Sequence, residues 1–492
     1  MKKLVILLMS FTSLSYVSCS DAIDIAPEGL LTPENAFRTL EDLQLGINTV
    51  YARMGNETEL EFASVFTDEV SIGLENGGQG LIDGEFSFIL NSGSAAPVGI
   101  WASNYSILNM ANRVIASAEF INYDPETEQV AFDNLLAQAY ALRAYAHFKL
   151  ISYFSTNPAD DNALGVMKLD FVPPSNVQLP RVPNGEIYEL IQSDLVTASS
   201  LLSPASTNNT FVTANFITAL NARMALYRGQ YGAAEGFADL LISAVPLAPR
   251  VAYQNIYLDS PIASEVIFKV RRVNLDFRVG SLWASVDASP NGSPFYEVSR
   301  ALFNTLSLSD VRRNVIVHPN SLVDPNYLTN PNYVQSDVIT LNKYRGTTFN
   351  LLADIKIFRV SEMHLIKAEA QANAGNLNGA TNSVAATLQG IRNIRIAPNQ
   401  PLPVYASATE AWADILLERR KELAFEGHRY LDIKRLGTKA NAGVSRDPRD
   451  CEINNSCSLP ATDHRIVSLP IPITELTANS AIRPQQNPGY SN

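Results

Sequence analysis

Apolar residues return every three or four positions over long stretches of this chain, and polar stretches rich in Asn, Pro and Gly interrupt them. Residues 33–54 (PENAFRTLEDLQLGINTVYARM) set Phe37, Leu40, Leu43, Ile47, Val50 and Tyr51 on one helical face. Thr32 and Pro33 read as its cap and first-turn proline. The same spacing predicts helices over 97–120, 133–154, 184–202 (with Asn184 as N-cap), 213–228, 231–245, 360–374, 377–394 and 410–426. Gly427 is the expected stop of the last one. Within 133–154, Ala137, Ala141, Ala144 and Ala146 interleave with Tyr and Phe, a pattern that lets helices approach closely. Residues 265–273 (EVIFKVRRV) read as a strand by their β-branched content.

Two of the predicted helix pairs share a grammar. Ala225, Gly229, Tyr231 and Ala234 recur in spacing as Ala370, Ala374–Gly375, Leu377 and Ala380. This is the tetratricopeptide-type helix hairpin, in which small residues let antiparallel helices stack. The fold class expected is mostly α, with such hairpins as scaffold over about 33–54, 97–154, 184–245 and 360–436. Residues 55–96 and 246–358 are loop-rich, and Gly73, Gly77, Gly78, Gly80 and Gly84 argue against a helix where they cluster. Irregular segments this long inside a folded chain are usually functional. The whole of 19–492 is expected to form one intertwined domain.

Composition narrows the class. Of 492 residues 46% are hydrophobic, too many for global disorder, and no run of 18 apolar residues follows the first twenty, so a polytopic membrane protein is excluded. With 37 Lys+Arg against 49 Asp+Glu, the net charge of −12 speaks against a nucleic-acid partner. The N-terminus reads as an address: Lys2 and Lys3, an apolar stretch from Leu4 to about Val17, then Ser18 before Cys19. This looks like a lipoprotein signal over 1–18 with Cys19 as the acylated residue, Tyr16 being the one departure from the usual aliphatic position. Maturation there removes two lysines and no acids, so the charge becomes −14. Ser20, Asp21 and Asp24 follow, resembling a surface-export signal of Bacteroidetes lipoproteins. Acylation would anchor the protein to a membrane.

The segment ERRKELAFEGHRYLDIKR (418–435) is the strongest candidate for catalysis, since two carboxylates can do acid–base work. Glu418, Glu422 and Glu426, however, repeat at i, i+4 and project the same way, whereas a glycosidase needs them across a substrate. Ion pairs to Arg419, Arg420, Arg429, Arg435 or neighbouring elements explain them better. The five histidines are scattered without metal-ligand spacing, and no nucleophile elbow appears. No enzyme activity and no metal or other cofactor is expected; a structural Ca²⁺ on loop carboxylates and carbonyls is compatible with the chain, because such ligands need no fixed spacing. Cys451 and Cys457, in a loop of an exported chain, are expected to form a local disulfide.

Ordered motifs along nearly the whole mature chain resemble the SusD/RagB family of nutrient-binding outer-membrane lipoproteins. They include Phe37-x-Thr39-x-Glu41-Asp42 with Gly46 and Tyr51, Trp101-x-x-x-Tyr105 leading to Ala111-Asn112, and Ala141-Leu142-Arg143-Ala144-Tyr145. Ile187-Tyr188 with Asp194-Leu195, Glu265-Val266-Ile267-Phe268 and Asp310-x-Arg312-Arg313 follow. The most specific stretch is Glu362 to Ala370, then Glu418-Arg419-Arg420-x-Glu422-Leu423-Ala424-Phe425-Glu426-Gly427-x-Arg429, closing with Leu469-Pro470-Ile471-Pro472 and Gln486-Asn487-Pro488-Gly489-Tyr490. The chain departs at Ile394-Arg395-Ile396. The resemblance implies a SusD-like fold, no catalysis, and a lipid-anchored protein on the outer cell surface. It further implies a SusC-like TonB-dependent transporter as partner and an oligosaccharide as ligand, with peptide capture or a purely structural role as alternatives.

Sugar rings pack their C–H faces on aromatics while amides, carboxylates and Arg bond the hydroxyls. Aromatics in polar loops are therefore candidates: Trp283 and Tyr296, with Arg278, Asp287 and Asn291 in the same loop, and Asp68, Glu69, Asn76 and Gln79 in the first loop. Trp283 either meets a ligand or plugs its loop onto the scaffold.

Overall fold

The computed structural model describes residues 37–73, 84–260, 264–284, 294–324 and 337–491. Helix α1 (Leu40–Ala52) opens on Thr39: its hydroxyl accepts from the Asp42 N–H, and the Asp42 carboxylate accepts from the Thr39 N–H. This capping box starts the helix well after Thr32 and Pro33, which lie outside the described residues. Helix α2 (Glu57–Val65) occupies a stretch expected to be loop, and buries Leu60, Phe62, Ala63 and Val65. Strand β1 (Val70–Ile72) follows it.

Helices α3 (Ala95–Ser117), α4 (Gln129–Phe154) and α5 (Asn184–Leu201) form the next layer, with α4 packed against both of the others. Ala137, Ala139, Ala141, Ala144 and Ala146 of α4 are all fully buried, as a helix covered on several sides requires. Asn184 is the first residue of α5 rather than its cap. Its buried amide instead donates to Ser155 Oγ and to the carbonyls of Asn157 and Asp160, pinning the chain that leaves α4.

Helices α6 (Ala214–Tyr227) and α7 (Tyr231–Ala244) turn at Gly229, and α8 (Val360–Asn373) turns at Gly375, both with φ in the left-handed region that glycine adopts freely. The second arm of that hairpin, α9 (Val384–Arg395), starts later than expected, because 377–383 loops through Gly379 and Asn382 at positive φ and Ser383 supplies the cap. Helix α7 packs on α8, so two hairpins remote in sequence adjoin in space. Helix α10 (Ala408–Glu422) packs on α8 and α9, and α11 (Arg429–Leu436) on α10 and α2. Helix α10 ends at Glu422, not at Gly427: Phe425 and Gly427, both at positive φ, reverse the chain before α11.

The fold is mostly helical, and its few strands are short. Strand β2 (Val266–Val270) pairs antiparallel with β4 (Ile355–Arg359), Val266 opposite Arg359, and β3 (Tyr296–Val298) pairs antiparallel with β1, Ile72 opposite Tyr296. Strands β5 (Val444–Ser445) and β6 (Ser458–Leu459) pair across the Cys451–Cys457 disulfide, whose Cα atoms stand 4.9 Å apart. One apolar cluster runs from Leu43 to Ile482; a second gathers Leu365, Leu388, Trp412, Ile415 and Leu436 among α8 to α11. Among the described residues, no helix is long and apolar enough to cross a membrane.

The C-terminal carboxylates are consumed by a buried ion-pair network. Glu422 accepts from Arg359 (3.1 Å), from Arg395 (3.0 and 3.2 Å) and from Arg312 (3.2 Å). Glu265, just before β2, takes Arg395 Nη2 at 2.8 Å and Arg359 Nη1. Glu426 accepts from Arg359 Nε (2.9 Å), Lys343 Nζ (2.6 Å) and the Tyr257 hydroxyl (3.0 Å), while Glu418 takes Arg312 (2.5 Å) and Arg392 (2.7 Å). Burial alone would raise the Glu422 pKa, but Arg395, Arg359 and Arg312 outweigh it and hold the carboxyl well below the usual range. Breaking such a buried pair is costly because it strands the remaining charges. Glu422→Ala is therefore expected to destabilise the protein by about 3–5 kcal/mol, measured as a fall in the urea midpoint; an unchanged midpoint would show that the network does not hold the fold.

Candidate functional site

The two loop-rich stretches meet through β1 and β3. Beyond β1 the chain enters residues 74–83, and 285–293 lead into β3, so the strand pair is the neck of both segments. The Gly73 N–H donates to the Phe295 carbonyl at 2.8 Å. A Cβ on Gly73 would sit 2.0 Å from the Pro294 carbonyl oxygen, so no other residue permits this approach.

Beside the neck lies a hollow of about 420 Å³. It is lined by Glu61 and Val65 of α2, Gly84, Glu85, Ile89 and Asn91 of the following turn, Ser94 and Ala95 at the start of α3, and Tyr296 of β3. Local backbone devices place these groups. Phe88 sits at φ +60°, and the Ile89 N–H donates to the Gly84 carbonyl at 2.6 Å, which closes the turn. Ile89 is thereby left 59% exposed on the rim. Asn91 Oδ1 accepts from the Gly93 N–H at 2.9 Å, and Ser94 Oγ from the Asn91 N–H at 3.0 Å. Glu85 Oε1 accepts from the Ala96 N–H at the N-terminus of α3, where a negative charge is favoured. The lining thus combines an aliphatic rim and an aromatic wall with carboxylate, amide and hydroxyl groups, a mixture able to hold a ligand that has both apolar faces and hydrogen-bonding edges.

Of the residues singled out in the sequence, Tyr296 alone lines this hollow. Trp283 does not meet solvent: it is 1% exposed, donates from Nε1 to Ser64 Oγ at 2.9 Å, stacks on Tyr344 and meets Phe425 edge-on. It fastens its loop to the scaffold. Asp68 is likewise buried, accepting from Arg429 Nε and Nη2 at 2.7 and 2.8 Å. Arg278 is half-buried and donates to the Asn350 carbonyl at 3.0 Å, away from the hollow's lining. Asn76, Gln79, Asp287, Asn291 and Cys19 lie outside the described residues. Glu61, Glu85, Ile89 and Asn91 were not foreseen. The Asn-Ser-Gly-Ser turn before Ala95 was their one local signal, since it announces both a tight turn and a helix start. Among the described residues, no group of three His, Cys, Asp or Glu side chains is placed to hold a metal ion.

Asp68 and Glu69 are neighbours driven in opposite directions. Burial opposes ionisation of Asp68, but Arg420 and Arg429 prevail and lower its pKa to about 2. Glu69 faces the Phe425 N–H instead, and burial pushes it up to about 8. At neutral pH Asp68 is charged and Glu69 holds its proton, directly at the foot of β1.

Two family models match the chain: one described as the SusD family over residues 309–490, the other as starch-binding and associating with the outer membrane over 39–226. A SusD-like protein from Formosa agariphila is 25% identical over 519 residues, spanning 97% of this chain and 98% of the relative. The fold is similar to the crystal structure of a SusD superfamily protein from Bacteroides thetaiotaomicron, with a TM-score of 0.76 at 23% identity, covering 92% of this chain and 100% of that one. It is also similar to a laminarin-binding SusD-like protein, with a TM-score of 0.68 at 20% identity and 92% and 100% coverage.

Glu69 has a folded pKa of about 8 against 4.5 for the free side chain, so its stabilising contribution is full below pH 4.5 and lost as pH rises through 8. Asp68, lowered from 3.8 to about 2, contributes above 3.8 and loses that contribution as pH falls through 2. Glu69→Gln is expected to flatten the decline of the melting temperature between pH 5 and 8 that the wild type shows; an equal slope in both proteins would rule out a protonated Glu69. Gly73→Ala is expected to lower the melting temperature and to separate β1 from β3, read as faster amide exchange at position 73 and at Ser299, whose N–H donates to the Glu69 carbonyl, than in the wild type; equal exchange would refute the close-approach argument.

Proposed function

The chain belongs to the SusD family, and on that premise we propose that it is a cell-surface binding protein that captures oligosaccharides and passes them to a SusC-like TonB-dependent transporter. The observation that carries this reading is the hollow beside the β1–β3 neck. Tyr296 and Ile89 offer surfaces against which the C–H face of a sugar ring packs, and Asn91, Ser94, Glu61 and Glu85 offer acceptors and donors for its hydroxyls. The laminarin-binding protein with the same fold supports a carbohydrate as the ligand class. The description of the model that matches 39–226 supports an outer-membrane location. The signal-like N-terminus with Cys19 supports tethering by acyl chains, which would keep the hollow at the membrane surface without a spanning helix. The role is capture without turnover, so the carboxylates in the lining bind and orient.

Titration calorimetry with a set of glucans, including laminarin and starch fragments, checks the reading against a matched panel of peptides. Saturable heat with at least one glucan and no release of shorter products is expected. Ile89→Ala and Asn91→Ala should each weaken that binding by roughly 5-fold, as the loss of one contact of about 1 kcal/mol implies. Binding confined to peptides, or hydrolysis of the glucan by the pure protein, would overturn the reading. Co-purification of a TonB-dependent barrel with the acylated protein, and its loss in Cys19→Ala, tests the partner and the tether together.

A further inference from the structure

The helical scaffold carries a separate hollow that shares no lining residue with the one described above. It has a volume of about 310 Å³ and lies between Gln44 of α1, Asn134 and Gln138 of α4, and the connection 205–212 that leads into α6. That size is at the small end of ligand sites, enough for a ligand of one or two rings. Its chemistry is unlike that of its surroundings. The chain as a whole carries a net charge of −12, yet this lining contains no charged residue. The hollow at α2 and β3 contains Glu61 and Glu85, and another beside α5 contains Asp161, Glu189 and Arg228.

The neutral lining is also oriented. Ser206 Oγ (2.7 Å) and the Ser203 N–H (3.3 Å) both donate to Asn134 Oδ1, which fixes that amide and leaves its Nδ2 donor unspent. The Thr210 N–H (3.0 Å) and Oγ1 (2.9 Å) do the same to Asn208 Oδ1, leaving Asn208 Nδ2. Gln44 donates its Nε2 to Asn48, which leaves Oε1 as an acceptor. The rim is Phe211, 38% exposed, with its ring held edge-on at 5.3 Å from Tyr51. Tyr51 cannot swing away, since its hydroxyl donates to Gln138 Oε1 and accepts from the Val212 N–H, both at 2.8 Å. An anchored aromatic face beside fixed amide donors and an acceptor, with no charged residue in the lining, matches a hydroxyl-bearing ring.

We propose that this hollow is a second site, for a neutral hydroxyl-rich ligand of one or two sugar rings. Phe211 packs on the ring, Asn134 and Asn208 donate to its hydroxyls, and Gln44 accepts from one. A charged sugar gains no ion pair here and loses solvation on entry, so the site selects against uronic acids and sulfated sugars.

Saturation-transfer NMR on the mature chain, with maltose, cellobiose and laminaribiose as probes and a disaccharide uronic acid as control, tests this. At least one neutral probe is expected to bind. Phe211→Ala and Asn208→Asp should each weaken it by at least about fivefold, as loss of a ring contact or of one hydrogen bond implies. Asn208→Asp keeps the acceptor for Thr210 and replaces the Nδ2 donor by a charged oxygen that a hydroxyl can only donate to, so it tests the site even if Phe211→Ala lowers the melting temperature. In an Ile89→Ala background, where the first hollow is impaired, the part of the signal that depends on Phe211 should remain within about twofold. No neutral probe that responds to Phe211→Ala or Asn208→Asp, a uronic acid bound as well as the neutral probes, or a Phe211-dependent signal abolished by Ile89→Ala would each overturn the proposal. The last result would still leave the first hollow as a sugar site, so the two readings fail separately.

Discussion

The end of α10 is set by one constraint: the Glu422 carboxylate is fully buried and must be neutralised where it stands. It meets Arg359 at the end of β4, Arg395 at the end of α9 and Arg312 from the segment before 317. Three parts of the chain must therefore close together before the charge is tolerable. Their closure fixes the end of α10, and with it the reversal through Phe425 and Gly427. Phe425 then does three things at once. Its N–H bonds Glu69, its carbonyl accepts from the Tyr344 hydroxyl at 2.9 Å, and its ring meets Trp283. Glu69 leads directly into β1, and β1 into Gly73, the neck of the hollow. The path from the ion network to the hollow is thus a continuous chain of contacts.

The position of Trp283 follows from the same path. Its indole N–H must find an acceptor once buried, and Ser64 at the end of α2 provides it. The tryptophan therefore ties α2, which supplies Glu61 and Val65 to the hollow, to the loop that leads into β3, which supplies Tyr296. A residue that looked like a ligand platform is instead what keeps two walls of the hollow in register.

The helices were legible because a period near 3.6 sustained over many residues has one simple explanation, and the hairpin turns were legible at Gly229 and Gly375 because glycine adopts their φ freely. The boundaries were not: Thr39, Ser383 and Ser407 cap helices by side-chain bonds that several nearby residues could have made. Helix α2, nine residues long, is too short to establish a period. The ion pairing of Glu418, Glu422 and Glu426 could be read from their spacing on one face, but not their partners, since β2 and β4 bring Glu265 and Arg359 together from positions 94 residues apart. The hollow was least legible. Its neck is two strands of three residues each, which carry no measurable alternation, and Asp68 and Trp283 look the same in sequence whether they face solvent or the core.

The separation between what holds the fold and what lines the hollow has a physical consequence. None of the network residues lines it, and its own groups are placed by backbone devices: the positive φ at Phe88, the short bond from Ile89 to Gly84, the Asn91–Ser94 turn and the close approach at Gly73. Ile89, Asn91 and Ser94, held in this way, can be exchanged without stranding a buried charge, because none of them is ionisable and their positions are set by φ and hydrogen-bonded turns. Glu85 is the boundary case. It lines the hollow and also serves the first turn of α3 through the Ala96 N–H, so a change there affects ligand contact and helix start together. A scaffold stabilised by charges outside the hollow, carrying a surface shaped by turns, can change that surface while keeping its shape.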